Sequence, residues 1–210
     1  PQIAEVRKEP DEQSNIGNRW HSDHSYDAVP ALGSVLLARE TPQEGGDTLF
    51  ASMFRAYDTL SNGLKKTVEQ LRAVHSSRHV FGRNNAEYYK DRPGLAERFS
   101  NADAAIQDSI HPLVICHPIS NRKALYVNPS FTVGIEGWND EESAPLLNML
   151  YRHVARPEHT YRYHWAPGSI AFWDNRATWH YAVNDYHGSR RLMHRITIEG
   201  VPLELGSSPS

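Results

Sequence analysis

Short runs of apolar or alternating residues recur along the chain and predict a series of strands. An apolar run at residues 31–40 is closed by Thr41, Pro42 and a turn at Gly45 and Gly46. Strands are predicted at residues 2–8, 31–40, 48–51, 74–81, 112–118, 123–128, 160–165, 169–173 and 190–200. The runs at 112–118 and 123–128 are close enough to form a hairpin, and the turn at 166–168 separates the next two.

Stretches with a helical period are fewer. Helices are predicted at residues 52–60 and 64–71, the second with apolar residues at i, i+4 and i+7 from Leu64. Asn139 and Glu142 form a capping-box pattern that predicts the start of a third helix. Many short strands, Gly and Pro turns and a minority of helices predict a mainly β fold with flanking helices, either a double-sheet β-sandwich or a jelly roll.

Composition narrows the class of protein. The 210 residues predict one domain; 22% of them are charged, 39% are apolar and the net charge is −3, so neither disorder nor a nucleic-acid-binding surface is indicated. There is no apolar run near the roughly 20 residues of a membrane span and no signal-peptide pattern. The single Cys116 is expected to be a buried strand residue in a reducing, cytoplasmic setting. Residues 82–109 are polar without a clear period, which favours a long lid or binding loop.

A candidate metal site is formed by His21, Asp23 and His180. His21 and Asp23 are two residues apart, so they point to the same side of an extended backbone, and His180 offers a third ligand. Two histidines and one carboxylate leave open positions for a co-substrate and O₂ in non-haem Fe(II) oxygenases. A His-x-Asp tripeptide alone is more often a surface or capping feature. Surface or hydrogen-bonded roles are expected for His75, His79, His111, His117, His153, His159, His164 and His187.

Further motifs at fixed spacings connect this site with a known family. Residues 20–23, 45–49, 173–176, His180 and 191–195 follow one another with the gaps of the taurine dioxygenase (TauD/TfdA) family of Fe(II)/2-oxoglutarate-dependent dioxygenases, which the chain resembles over nearly its whole length. The resemblance implies a double-stranded β-helix (jelly-roll) core. Family members carry several dozen residues before the first motif, so we expect that the domain at residues 1–210 lacks its N-terminal segment.

The resemblance also implies an activity. Fe(II), 2-oxoglutarate and O₂ are expected to be used to hydroxylate a small organic anion (sulfonate, sulfate ester, aryloxyalkanoate or carboxylate), in some cases with cleavage of the adjacent C–S or C–O bond, releasing succinate and CO₂. Nucleic acid and membrane are not expected as partners, and a homo-oligomer is left open. The matching positions are His21, Asp23 and His180 for iron, Thr48 and Arg191 for 2-oxoglutarate, and Arg195 for the acidic group of the primary substrate.

The two arginines suit this assignment. Four residues of strand separate Arg191 from Arg195 by about 13 Å, so one anion could hardly engage both closely. The planar fork of an arginine matches a carboxylate. Trp20 and Trp173 are expected to shield the site, and residues 174–176 to shape the loop before His180.

Two other classes of function are compatible with parts of the pattern. Zinc accepts the same three ligands, so a zinc hydrolase is one alternative. A noncatalytic β-sandwich binding module is the other. The zinc reading leaves Thr48 and the two strand arginines unexplained.

Overall fold

A computed structural model describes residues 3–81 and 108–203, and within them the chain is mainly β with a few helices, as predicted. The strands are β1 (Ala4–Lys8), β2 (Gly33–Glu40), β3 (Thr48–Ser52), β4 (Arg72–Ser76), β5 (Asp108–Pro112), β6 (Val114–Cys116), β7 (Lys123–Leu125), β8 (Thr132–Ile135), β9 (Thr160–Tyr163), β10 (Ile170–Asp174), β11 (Thr178–Ala182) and β12 (Arg191–Ile198). The helices are α1 (Met53–Asp58), α2 (Asn62–Val68), α3 (Arg78–Phe81) and α4 (Asp140–Val154), with a 3₁₀ turn at Pro157–His159. No helix within these ranges is long and apolar enough to cross a membrane.

Two antiparallel sheets enclose the part of the core that carries the site. One has the strand order β1-β12-β2-β10 and the other the order β11-β3-β9. Their inner faces meet where the rings of Phe50 and Trp173 lie 5.5 Å apart, beside the buried side chains of Leu36 and Met193. Strand β2 alternates between more and less buried residues, so one face of the sheet fits this interior.

A larger apolar cluster lies on the other side of the β11-β3-β9 sheet. It joins α1 and α4 to two smaller sheets, of order β5-β4-β8 and β6-β7. Trp179 of β11 is fully buried there, and its indole N–H donates to the carbonyl of Val127 at 2.7 Å. Successive residues of a strand point to opposite faces, so the next residue, His180, points between the two main sheets.

Most predicted elements are present with shifted ends. The predicted hairpin is formed by β6 and β7, with Val114 opposite Leu125. The predicted capping box starts α4, because the Asn139 side chain accepts from the N–H of Glu142 and the Glu142 side chain accepts from the N–H of Asn139. Helix α2 is capped by Ser61 and ends at Val68, three residues earlier than predicted.

Two expectations, the strand at 74–81 and the excursion at 82–109, need correction, and most of the second lies outside the described residues. The predicted strand at 74–81 divides into β4 and α3, because the Ser76 hydroxyl accepts from Arg78 N–H and the Ser77 carbonyl accepts from Phe81 N–H, which turns the chain. The strands on either side of the 166–168 turn join different sheets, β9 with β3 and β10 with β2. The predicted excursion ends earlier than expected, since β5 begins at Asp108, and its residues 82–107 lie outside the described part of the chain.

Candidate active site

His21 and His180 form a directly opposed antiparallel pair that brings the two ends of the chain together. The His21 N–H donates to the His180 carbonyl at 3.1 Å, and the His180 N–H donates to the His21 carbonyl at 2.9 Å. Residues paired in this way project their side chains to the same side. The two imidazole centroids are consequently 4.0 Å apart.

Asp23 adds a carboxylate to this pair. Its Oδ1 lies 3.6 Å from His21 Nε2, and its Oδ2 lies 3.8 Å from His180 Nε2. One donor atom from each of the three residues lies within 4.8 Å of the others. The structure thus brings together the three residues singled out from the sequence, with the two-imidazole, one-carboxylate donor set that suits Fe(II) with open positions and that zinc also accepts.

Outer contacts orient these donor atoms. His21 Nδ1 lies 2.7 Å from the Arg19 carbonyl, which can only accept, so Nδ1 carries the proton and the Nε2 lone pair faces the site. The Ser34 hydroxyl donates to Asp23 Oδ2 at 2.9 Å, and Arg195 Nη1 donates to Asp23 Oδ1 at 3.4 Å. Arg195 therefore contacts the carboxylate of the candidate metal site, a partner that its position on the strand did not predict.

Burial and charge favour the ligand forms of all three residues. Burial lowers the pKa of His21 and lowers that of His180 well below its ordinary value, so both imidazoles are neutral at neutral pH. Burial alone would raise the pKa of Asp23, but the nearby positive charge, chiefly that of the Arg195 guanidinium, holds it well below its usual range. The carboxylate is ionised, and neutral imidazole with carboxylate is the protonation state that metal binding requires.

A cavity opens beside the three donors. Apolar side chains form much of its wall, and the polar groups are concentrated in a few residues. Its lining consists of Val6, Ile16, Gly17, His21, Leu36, Thr48, Trp173, His180, Ala182, Arg191 and Arg195. Five of the six residues singled out from the sequence therefore line one cavity. The sixth, Asp23, contacts three of the lining residues.

Arg191 is the most unusual residue of this cavity. It is only 4% exposed, and its Nε and Nη2 have no hydrogen-bond partner among the described residues. Burial lowers the pKa of Arg191, yet a guanidinium keeps its proton in proteins. A buried cation with two unused donors is costly unless an anion binds it, and a carboxylate matches the fork of its N–H groups.

The turn at Gly45 and Gly46 lets the chain approach this arginine. Gly46 has φ +70°, and a Cβ there would lie 2.9 Å from Pro42 Cγ and 3.3 Å from Arg191 Cδ. Its N–H donates to Asp185 Oδ1 at 2.8 Å. The glycine therefore meets both a conformational and a steric need, and it leads directly into β3 and Thr48.

Comparison with known proteins agrees with this arrangement. The family model described as "Taurine catabolism dioxygenase TauD, TfdA family" matches residues 1–197. The chain belongs to the TauD/TfdA family. Membership in the TauD/TfdA family confirms the fold class predicted from the sequence, because the core described above is the jelly roll of this family.

Named relatives of the TauD/TfdA family are similar over most of the chain. An alkylsulfatase of Acinetobacter baylyi is 38% identical over 87% of the chain and 57% of its own length. An alpha-ketoglutarate-dependent sulfate ester dioxygenase of Pseudomonas putida is 34% identical over 90% of the chain and 62% of its own length. A taurine dioxygenase structure from Burkholderia xenovorans has a TM-score of 0.75 at 32% identity, covering 95% of the chain and 65% of that structure. The chain spans about three fifths of the length of these relatives.

Sequence motifs identify the polar residues that face the cavity but miss most of its apolar lining, such as Ile16 and Leu36, and the residues behind it. Ser34 and Trp165 contact Asp23 and Thr48, respectively, and neither was a candidate. Both follow from pairing between distant strands, and the sequence carries no spacing that signals it. Residues 174–176 do form the turn before His180, where Trp173 Nε1 donates to Asn175 Oδ1 at 2.9 Å.

Proposed function

We propose that residues 1–210 form the single catalytic domain of an Fe(II)- and 2-oxoglutarate-dependent dioxygenase. Its primary substrate is a small organic anion, either a sulfonate, a sulfate ester, an aryloxyalkanoate or a carboxylate. The enzyme hydroxylates a carbon of this substrate, in some cases with loss of the adjacent C–S or C–O bond, and releases succinate and CO₂. The names of the alkylsulfatase and the sulfate ester dioxygenase support this choice of substrates. The free Cys116 is in keeping with the cytoplasmic setting that we propose.

The observation that supports the proposal most strongly is the pairing of two features in one cavity. His21 and His180, with Asp23 beside them, offer a metal-binding donor set, and Arg191 offers a buried guanidinium with two unused donors. A zinc hydrolase needs the first feature only. A co-substrate that chelates a metal at one end and carries a carboxylate at the other needs both.

Each residue then has a specific task. His21 Nε2, His180 Nε2 and the Asp23 carboxylate hold Fe(II), which when bound supplies the O₂ activation that couples decarboxylation of 2-oxoglutarate to oxygen transfer. Arg191 and Thr48 bind the distal carboxylate of 2-oxoglutarate. Arg195 binds the acidic group of the primary substrate, since its Nε has no partner among the described residues. The apolar wall keeps water away from the reacting groups.

A binding experiment without O₂ tests the metal and co-substrate assignment. Addition of Fe(II) and 2-oxoglutarate is expected to give the weak visible charge-transfer band of a chelated keto acid. The variants His21→Ala, Asp23→Ala and His180→Ala should lose it. A matched control is His194→Ala, since His194 is a half-buried histidine that lies outside the cavity lining. If folded wild-type protein gave no band, or if any of the three variants kept it, the assignment would be wrong.

A turnover experiment tests the substrate class. The four classes of anion are supplied one at a time with Fe(II), 2-oxoglutarate and O₂, and succinate release is measured. At least one class should stimulate it above the substrate-free rate. Hydrolysis of an ester with zinc and without O₂ would favour the zinc hydrolase, and binding without any turnover would favour the binding module.

A further inference from the structure

Trp165 contacts two polar residues that line the cavity, Thr48 and Arg191. It lies two residues beyond the end of β9 and is half-buried against the cluster that contains Trp173 and Met193. Its indole N–H donates to Thr48 Oγ1 at 3.0 Å. The centre of its ring lies 5.8 Å from Arg191 Cζ, within the range of a cation–π contact.

The hydrogen bond from Trp165 fixes what the Thr48 hydroxyl can do. A hydroxyl has one proton to donate, and indole nitrogen can only donate, so Thr48 Oγ1 must be the acceptor of this bond. Thr48 is buried, and across residues 3–81 and 108–203 its hydroxyl proton has no acceptor. The proton therefore remains available to a ligand in the cavity that Thr48 lines.

Arg191 also has donor groups without acceptors in the described part of the chain, namely its Nε and Nη2. The Thr48 hydroxyl oxygen and the Arg191 nitrogens Nε and Nη2 are thus three donor atoms whose protons have no acceptor among the described residues, and both residues line one cavity. They match a carboxylate, which has two oxygens and about four lone-pair directions.

We propose that Trp165 is a positioning residue for the carboxylate end of the co-substrate. By occupying an acceptor direction of Thr48 Oγ1 it directs the hydroxyl proton toward the ligand, and by packing against Arg191 it limits the orientations of the guanidinium. Trp165 acts from behind the lining residues and does not itself line the cavity. This inference rests on the proposed function, because it takes 2-oxoglutarate as the ligand.

A double-mutant cycle separates this role from simple packing. Trp165→Phe keeps an aromatic ring against Arg191 but removes the N–H, and Thr48→Val removes the hydroxyl. The dissociation constant of 2-oxoglutarate is measured by calorimetry on Fe(II)-loaded protein without O₂, together with the thermal midpoint of each variant. Tyr163→Phe is the matched control, because the Tyr163 ring packs 4.7 Å from Trp165 and its hydroxyl bonds instead to the Ile170 carbonyl at 3.5 Å.

The expected result is a selective and coupled loss of affinity. Trp165→Phe should weaken 2-oxoglutarate binding by about 3- to 10-fold, the range of one neutral hydrogen bond. In the Thr48→Val background the same substitution should change binding less than about 2-fold, since the bond is already absent. Tyr163→Phe should leave binding unchanged, and Thr48→Ser, which keeps the hydroxyl, should bind close to wild type.

Several outcomes would overturn the inference. One is a Trp165→Phe protein that has a lower thermal midpoint than wild type yet binds 2-oxoglutarate as tightly. Another is an equal loss in both Thr48 backgrounds, which would mean that Trp165 does not act through the hydroxyl. A Thr48→Ser protein that loses as much as Thr48→Val would overturn it without relying on the tryptophan variant. If wild type itself bound no 2-oxoglutarate, the proposed function would fall as well, so the two failures are distinguishable.

Discussion

Arg191 and Arg195 lie on the same face of β12 but have different surroundings. Arg191 is buried, and two of its nitrogens have no partner in the described ranges. Arg195 has a side chain that is 24% exposed and contacts Asp23. Under the proposed function, the buried Arg191 suits a ligand that reaches the inner end of the cavity, whereas Arg195 can exchange its contact with Asp23 for one with a substrate anion.

Arg191→Ala is therefore expected to raise the dissociation constant of 2-oxoglutarate by about 10- to 100-fold, the range of a charge-assisted hydrogen bond. Arg195→Ala should instead raise the KM of the anionic primary substrate by about the same factor, with a smaller change for 2-oxoglutarate. Titrating each variant with 2-oxoglutarate and, separately, with the primary substrate shows which of the two ligands each substitution weakens.

The neighbouring Arg190 provides the control for this pair. It forms ion pairs with Glu9 and Glu40 away from the cavity, so Arg190→Ala should change neither titration by more than about 2-fold. If Arg195→Ala weakened 2-oxoglutarate more than Arg191→Ala did, the two roles would have to be exchanged.

The sequence predicts which side chains form the candidate site, because their chemistry and spacing are visible in it. It does not predict which other residues hold those side chains in place. His21 and Asp23 are detectable because their spacing of two is a local property of extended chain. Ser34 and Trp165 are not detectable, because each reaches its partner only through the pairing of strands that are distant in sequence. Serine and tryptophan at those positions are as consistent with ordinary packing as with a role behind the site.

The corner between β10 and β11 is the element that brings His180 into the site. Asp174 accepts bonds from the backbone N–H and side chain of Arg176 and from His117 Nε2, the last at 2.9 Å. Arg176 is 2% exposed, so its charge is neutralised inside the protein. His117 ties the corner to the turn after β6, where its Nδ1 accepts from the N–H groups of Ile119 and Ser120.

Asp174→Asn should lower the free energy of unfolding by roughly 3 kcal/mol, because it leaves a buried guanidinium without its counter-charge. The change is measured by urea unfolding of the metal-free protein. Asp58→Asn is the control, since the Asp58–Arg122 pair is exposed and should contribute less than about 1 kcal/mol. Equal losses of unfolding free energy in the two variants would show that Asp174 contributes no more to stability than an exposed ion pair does.

Helix α4 offers a second test at the scale of an element. Asn139→Ala removes the side chain that caps the first turn and should lower the free energy of unfolding by about 1 kcal/mol. Asn139→Asp keeps an acceptor at the cap and should retain most of the stability. Urea unfolding of both variants checks this, and a loss for Asp as large as that for Ala would contradict it.

The elements that the sequence predicts well are those with local signals. The capping box marks the start of α4, and the hairpin of β6 and β7 needs only a short connection. The separation of β9 and β10 into different sheets has no local signal, because each strand is recruited by a partner far along the chain. The division of residues 74–81 was not predicted, because the hydrogen bonds of Ser76 and Ser77 turn the chain where its pattern favours a continuous strand.

Buried histidines are expected to make the stability of the whole molecule depend on pH. His75 is fully buried, and its Nδ1 lies 3.1 Å from the Ser25 hydroxyl. Burial, with a smaller effect from the neighbouring His111, lowers the pKa of His75 to about 3. Burial also lowers the pKa of His111 and of His153. In the unfolded chain these groups take up a proton near pH 6.5.

The direction of the pH dependence follows from the difference between the pKa of His75 in the folded and in the unfolded chain. Above about pH 6.5 His75 is neutral in both states and stability does not depend on it. As the pH falls toward 3, the unfolded state binds a proton that the folded state excludes, so stability falls, by roughly 2 kcal/mol at pH 5 for this one group. The free energy of unfolding of metal-free protein at pH 7 and pH 5 measures it.

His75→Gln should be less stable than wild type at pH 7 but should lose less between pH 7 and pH 5. His187→Gln, at an exposed position, is the control and should keep the wild-type difference. A His75→Gln protein with an undiminished loss between the two pH values would mean that other groups carry the dependence.

The mutual backbone bonds of His21 and His180 also have a consequence for how the protein is made. The contacts around them join distant parts of the chain: the bond from the Ser22 hydroxyl to the Thr178 carbonyl spans 156 positions. At about 5–20 residues per second, a ribosome needs roughly 10 to 30 s to make that stretch. During that time the first two candidate metal ligands, His21 and Asp23, exist without the third, His180. Under the proposed function, Fe(II) binding would therefore require that synthesis of this region be complete, and the bound metal would stabilise only the folded chain in which the three ligands meet.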